Sequence, residues 1–400
     1  MAHEESSKSA PQTKLVIRNI GLLLSGDLAD PILDADTVVA VGDRIFAVGR
    51  EKDVDISRAD VTIDAKGTAV APGFIDSHVH PVCGDWTPRQ NQLGWIDSYL
   101  HGGVTTMVSA GEVHTPGRPK DIVGLKAMAI FAQRAFQNFR PGGVKILAGA
   151  PVLELGMVED DFRELAAAGV KILGEVGLGS VKDGQTARRM VSWARKYGIQ
   201  STIHTGPSIP GSSLIDKDMV LETDADVIGH VNGGHTALPD DQINALCERS
   251  RRALEIVHNG NERAGLLALR TAMELKQLDR VILGTDSPAG SGVQPLGIVR
   301  MISLLSSLGE IPAEVAICLA TGNTAKIRNL DGGLIAPGRE ASFVLMDKAQ
   351  HSAGKNLLDS IQKGDLPGIG MVIIDGTVSV HRSRNTPPAT TVPVVVKSSG

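Results

Sequence analysis

The sequence predicts an α/β protein, a (β/α)8 TIM-like barrel with a small β-sandwich domain formed from both chain ends. Three observations lead there. Eight short apolar runs alternate with helix-patterned segments between residues 71 and 332. Both ends of the chain revert to short strands. The polar residues that close several of the eight runs are of metal-ligating type, as expected where strand ends converge on one mouth.

Residues 1–13, MAHEESSKSAPQT, are polar and lack the apolar stretch of a secretory signal, so they are expected to form a disordered tail. From Lys14 the strand pattern reads KLVIRNIGLLLS, TVVAVGDRIFAVG with a turn at Gly42-Asp43, and VTIDAKGTAVAPG. Helical segments such as NQLGWIDSYLHGG and PKDIVGLKAMAIFAQRAFQNF follow. They alternate with FIDSHVH, VTTMVSA, VKILAGA, VKILGEVG, QSTIHTG, ADVIGHVNG, ALEIVHNG and RVILGTDSP. GLIAPGREASFVLMD and MVIIDGTVSVHRS return to short strands. The expected division is a β domain of residues 14–70 plus 333–400 around a barrel of residues 71–332. The closing TPPATTVPVVVKSSG reads as an extended tail that could pack on a neighbouring subunit.

At 400 residues and 42% apolar content the chain can bury a large core. A net charge of -5 without a long basic cluster argues against nucleic acid as partner, because phosphate neutralisation needs concentrated Lys and Arg. No apolar run is long enough to cross a bilayer. Cys83, Cys247 and Cys318 are too scattered for a disulfide framework, which fits a reducing, cytoplasmic compartment and a small-molecule substrate. Cys83, three residues after His80, reads as a pocket wall or a thiolate ligand.

His78 and His80 stand one residue apart at the end of a buried strand, so both point to the same face and can share one metal ion. The plainer reading makes one of them a structural histidine bonded to a loop carbonyl. Later runs close on Glu175, His204, His230 and Asp286, which a barrel would gather at the same mouth.

These residues resemble the amidohydrolase superfamily. The likeness runs from Asn19 to about Asn385 and is carried by PGFIDSHVH, TIHTG, VIGHV, GTDSP, TGNTAKI and GLIAPGREASFVLMD. The blocks HGGVTTMVSAG, GEVGLG and SRNTPPA are similar to members that hydrolyse cyclic amides at a binuclear metal centre. Most relatives bridge their metals with a carboxylated lysine on strand four, where this chain offers Glu175. Lys171 shares the strand parity of Glu175 but lies about 13 Å deeper, and Lys145 is excluded by the same depth. Ser342 stands where relatives usually carry Asp.

The resemblance implies that His78, His80 and Asp286 hold the more buried of two divalent metals, zinc or a zinc and iron pair. His204 and His230 would hold the other, with Glu175 bridging both. A metal-bridging hydroxide would attack the amide, and Asp286 would carry its proton to the leaving nitrogen. The substrate implied is 6-oxo-1,4,5,6-tetrahydronicotinate, opened to 2-formylglutarate and ammonia, and the protein would be a homotetramer. Arg89, Arg118 or Lys120 could anchor the substrate carboxylate, or be solvated surface charges. Ser208, Ser212 and Ser213 could line the pocket, or merely make a turn. His258 could contact substrate or support a ligand, and His235 reads as a loop residue. His3, His101, His114, His351 and His381 are given no catalytic role. Two other readings stand beside this one. One is another amidase or cyclic ureide hydrolase of the superfamily, and the other is a metal-free scaffold.

Overall fold

The computed structural model describes residues 12–207, 214–289 and 291–398. The expected tail and the serines at 208, 212 and 213 lie wholly or almost wholly outside them. The two chain ends build two sheets. In the five-stranded sheet Lys14–Arg18 lies between Thr37–Val41 and Val61–Asp64, with Arg44–Gly49 and Val394–Ser398 at the edges. The six-stranded sheet runs Thr377–Val380, Gly368–Ile374, Phe343–Asp347, Ala69–Pro72, Leu22–Leu24 and Ile32–Leu33.

KLVIRNIGLLLS and VTIDAKGTAVAPG each supply one strand to each sheet. The chain changes sheet at Asn19 (φ 56°) in the first run and at Lys66 (φ 51°) in the second. Leu15, Ile17, Val38 and Ile63 of one sheet share a core with Val70, Phe343, Leu345 and Ile373 of the other. Strand parity divides Ala69–Pro72 between two environments. Val70 enters that shared core, while Ala69 and Ala71 belong to the core of the central unit.

The C-terminal run corrects an expectation. Val394–Ser398 packs within its own chain, antiparallel to Val61–Asp64 with Val395 opposite Ile63. An open sheet edge offers a row of unpaired backbone groups, and this valine-rich segment satisfies it from the same molecule.

The central unit holds parallel strands in two arcs. Lys145–Leu147, Val104–Ser109 and Phe74–Val79 form one, and Thr202–Ile203, Val227–Ile228, Ala253–Val257 and Val281–Gly284 the other. Residues 172–176 bridge them on one side: the Glu175 amide donates to the Ala110 carbonyl (2.8 Å) and the Val176 amide to Thr202 (2.9 Å). On the other side the Asp286 amide donates to the His78 carbonyl (2.8 Å) and the His80 amide to Ser287 (2.8 Å). Helices cover the outside. Asp121, Asp183, Asp216 and Asn261 start four of them by accepting backbone N–H groups that the first turn leaves unpaired. In Gly184–Lys196 the buried Ala187, Met190, Val191 and Ala194 recur at helical spacing and face the strands. No helix among the described residues is long and apolar enough to cross a membrane.

Close approach of the first and last parallel strands depends on a missing side chain. A Cβ at Gly284 would lie 2.7 Å from the His78 Cβ and 3.0 Å from its backbone nitrogen. Gly284→Ala is therefore expected to destabilise the fold by about 1–3 kcal/mol, as overpacking does. A lowered urea midpoint would register the loss, and an unchanged midpoint would show that the strands separate freely.

Candidate metal centre

The polar residues singled out at the run ends lie together at the C-terminal ends of the parallel strands. His78 is the penultimate residue of Phe74–Val79, and His80 follows that strand. Glu175 stands in the bridging stretch, His204 and His230 follow the next two strands, and Asp286 follows Val281–Gly284. His230 (φ 29°) and Asp286 (φ 57°) hold positive φ values that cost energy for residues with a Cβ. His78 is fully buried and Glu175 is 2% exposed.

Glu175 divides its two oxygens. Oε2 lies 3.8 Å from His78 Nε2 and 3.5 Å from His80 Nε2, whereas Oε1 lies 2.6 Å from His230 Nε2 and 3.1 Å from His204 Nδ1. Asp286 Oδ1 joins the first pair, 3.2 Å from His80 Nε2 and 3.7 Å from His78 Nε2. His78, His80 and Glu175 form one cluster that could hold a metal ion, and Glu175, His204 and His230 form another. His78 Nε2 is buried with no hydrogen-bond partner among the described residues. A sealed imidazole nitrogen facing carboxylates beyond hydrogen-bond distance suits metal coordination.

The electrostatics follow from burying anions among imidazoles. Burial opposes ionisation of Glu175, but His230, His204 and His78 overcome it and hold its pKa well below the usual carboxylate range. Asp286 is also held down, against burial, by its contact with His80 and by His78 and His230. Burial disfavours charge on His78, yet Glu255 and Glu175 drive its pKa well above that of a free imidazole. His230 is raised for the same reason by Glu175, while burial and His230 lower His204. The carboxylates thus demand positive charge, which protons or metal ions can supply.

A second layer of contacts fixes the rings. His78 Nδ1 lies 2.6 Å from Glu255 Oε2, and His80 Nδ1 lies 2.9 Å from the Gly111 carbonyl, so both Nε2 atoms are turned inward. Arg328 donates to Glu255 (2.8 Å), to the Ser77 hydroxyl (2.9 Å) and to Thr202 (3.0 Å). Burial works against ionised Glu255, but His78 and Arg328 bring its pKa down to about 2. Glu112 accepts from the Gly149 (2.8 Å) and Ala150 (2.9 Å) amides, fastening the loop that carries Gly111. Glu255 and Arg328 escaped the sequence reading. An acid inside the apolar run ALEIV was a usable signal, whereas nothing in TAKIRNL marks Arg328.

The remaining expected residues fall in varied places. Lys171 is exposed, and Lys145 pairs with Glu340 (2.8 Å) and Asp375 (2.6 Å), away from the cluster. Arg89 and Lys120 are exposed, while Arg118 lies 3.7 Å from Glu154. Ser208 lies outside the described residues. The buried Nδ1 of His258 has no hydrogen-bond partner among the described residues, and its ring sits beside Gly297. His235 contacts Ser291 (3.2 Å), His101 bonds Arg384, and Cys83 is exposed. His114 stands edge-on to His80, with ring centroids 5.3 Å apart. Burial, His80 and Arg89 push its pKa down to about 4, so the ring is neutral at pH 7.

Known proteins resemble this chain over most of its length. The family model described as "Amidohydrolase family" matches residues 69–378. The chain is 46% identical over 378 residues to the enamidase of Eubacterium barkeri, covering 94% of this chain and 98% of that one. A crystal structure of enamidase, titled a new member of the amidohydrolase superfamily, superposes with a TM-score of 0.93 at 46% identity, covering 96% of this chain and all of that one (100%). An imidazolonepropionase of Streptomyces griseus subsp. griseus is 26% identical over 346 residues, or 78% of this chain and 86% of that one. The family model and the 46% identity agree, and the chain belongs to the amidohydrolase family of hydrolases.

Proposed function

We propose that the protein hydrolyses the C–N bond of a cyclic amide at a binuclear metal centre, as an enamidase does, with 6-oxo-1,4,5,6-tetrahydronicotinate as substrate and 2-formylglutarate and ammonia as products. The observation that carries this reading is the division of the Glu175 oxygens between His78 with His80 and His204 with His230. The identity to the Eubacterium barkeri enamidase supports the choice of reaction. The central unit is read as a (β/α)8 barrel over residues 71–332. The two outer sheets, residues 14–70 plus 333–400, are read as the β-sandwich domain. A cytoplasmic homotetramer belongs to the same reading.

His78, His80 and Asp286 would hold one divalent cation, His204 and His230 the other, and Glu175 would bridge them. Zinc, or zinc with iron, suits this donor set. Bound there, the ions supply Lewis acidity and a water of lowered pKa. The protein's own groups do the rest. Asp286 is ionised and 14% exposed, so it can take a proton on the open side of the cluster and pass it to the departing nitrogen. Amide nitrogen leaves only when protonated, which makes that transfer essential. The ring-opened enamine then tautomerises to an imine, and a second water displaces ammonia to leave the aldehyde. Glu255 keeps the His78 Nδ1–H engaged and its Nε2 lone pair directed at the cluster. Arg89, an exposed cation, would hold the ring carboxylate.

Purified protein given 6-oxo-1,4,5,6-tetrahydronicotinate should release ammonia, and a panel of six-membered lactams, hydantoins and dipeptides that yields turnover only on the last two would refute the cyclic-amide reading. Glu175→Ala should abolish the paired centre, and elemental analysis finding two tightly held metals in that variant would refute the bridging role. Glu255→Gln removes the charge behind His78 and should weaken metal affinity about 10–100-fold in competition with a chelator. Unchanged affinity would reduce Glu255 to a packing role.

A further inference from the structure

We propose that Asn259 is a positioning residue for Asp286, holding its backbone so that the carboxylate stays beside His78 and His80. The proposal rests on the metal-centre reading of the cluster and deepens it. Asp286 needs to be held. Its φ of 57° places a residue with a Cβ in the left-handed region, and such a conformation persists only where the surroundings fix it. Asn259 lies just past Ala253–Val257, the strand paired with Val281–Gly284, and is 8% exposed.

Thr285, Asp286 and Ser287 are each tied to a neighbouring element. Asp76 accepts from the Thr285 amide (2.9 Å) and hydroxyl (2.5 Å), and the Ser287 carbonyl accepts from the His80 amide (2.8 Å). The Asp286 amide donates to the His78 carbonyl (2.8 Å). The Asp286 carbonyl accepts from Asn259 Nδ2 (2.8 Å), which also donates to the Ser287 hydroxyl oxygen (3.1 Å). A carbonyl can only accept, so Asn259 must turn its NH2 group toward Asp286, and both of its N–H bonds are engaged. The backbone amide of Asn259 donates to the Thr285 carbonyl (3.1 Å), which fixes the root of the same side chain. Among the described residues Asn259 is the one side chain that bonds the Asp286 backbone.

That hold acts on one half of the cluster. The Asp286 carboxylate lies with His80 (3.2 Å) and His78 (3.7 Å), whereas His204 and His230 gather on the other side around Glu175 Oε1. Without the Asn259 donor, Asp286 is free to relax toward negative φ, which swings its Cβ and carboxylate away from His78 and His80. Its two roles, metal ligand and proton carrier, then weaken together while His204 and His230 keep theirs. A residue that merely supported the fold would weaken both halves alike.

The test uses metal-loaded wild type, Asn259→Ala and Asn259→Asp. Asn259→Ala removes the donor, and Asn259→Asp keeps the shape but sets a carboxylate oxygen against the Asp286 carbonyl. Chelator competition followed by elemental analysis should show one of the two ions held about 10–100-fold more weakly in both variants, and the other within about threefold of wild type. In excess metal, kcat on 6-oxo-1,4,5,6-tetrahydronicotinate should fall about tenfold or more with KM within about threefold, because Asp286 moves a proton and does not bind the substrate. Both ions held as in wild type, both lost together, or variants that do not fold overturn the proposal and leave the metal-centre reading standing. Wild type that holds fewer than two ions overturns that reading and the proposal with it. Wild type that binds two ions but opens no ring overturns the cyclic-amide reading alone, and the metal comparison still decides the role of Asn259.

Discussion

Glu175 sets each of its two oxygens against a different pair of imidazoles, and the rest of the site is organised around that shared carboxylate. Burying an ion costs several kcal/mol unless it is compensated. Three carboxylates, Glu175, Glu255 and Asp286, lie in or against this cluster. Arg328 compensates Glu255 with a short ion pair and additional bonds to Ser77 and Thr202. Among the described residues the ion-pair partners of Glu175 and Asp286 are imidazoles, so their charge must be met by protons on the rings or by cations among them. That demand links the raised pKa of His78, the lowered pKa of Glu175 and the orphaned Nε2 as consequences of one cause.

The backbone supplies the convergence. Ala110 receives the amide of Glu175, and His78 receives the amide of Asp286, so ligands distant in sequence hang from hydrogen bonds between neighbouring strand ends. Gly284 permits the second of these contacts by leaving space for the His78 Cβ. The outer sheets enter the same frame through Ala69–Pro72, which runs directly into the strand that carries His78 and leads to His80. Its small residues, Ala69 and Ala71, lie in the core of the central unit.

Much of this was legible in the sequence because it follows from period and punctuation. Alternation in FIDSHVH put His78 and His80 on one face, and run-closing residues pointed to Glu175, His204, His230 and Asp286. The depth argument separated Glu175 from Lys171, which is exposed. Long-range pairing was not legible. Arg328 reaches Glu255 across 73 positions, and no local pattern encodes that contact. Asn259 was passed over because a loop asparagine has no periodicity to orient it, and only the folded loop sets it against the Asp286 carbonyl. The valine-rich C-terminus read correctly as extended, but its partner, the Val61–Asp64 edge, was hidden by a separation of some hundreds of residues.

The departure from a lysine bridge gives this reading its most exposed point, since a glutamate must then neutralise two cations directly. Anomalous diffraction from crystals of the metal-loaded protein addresses this. Two peaks about 3.5–4 Å apart, the usual spacing of two-metal sites, should flank the Glu175 carboxylate with one oxygen directed at each. A single peak, or two metals with the Glu175 side chain turned away from them, would contradict the account.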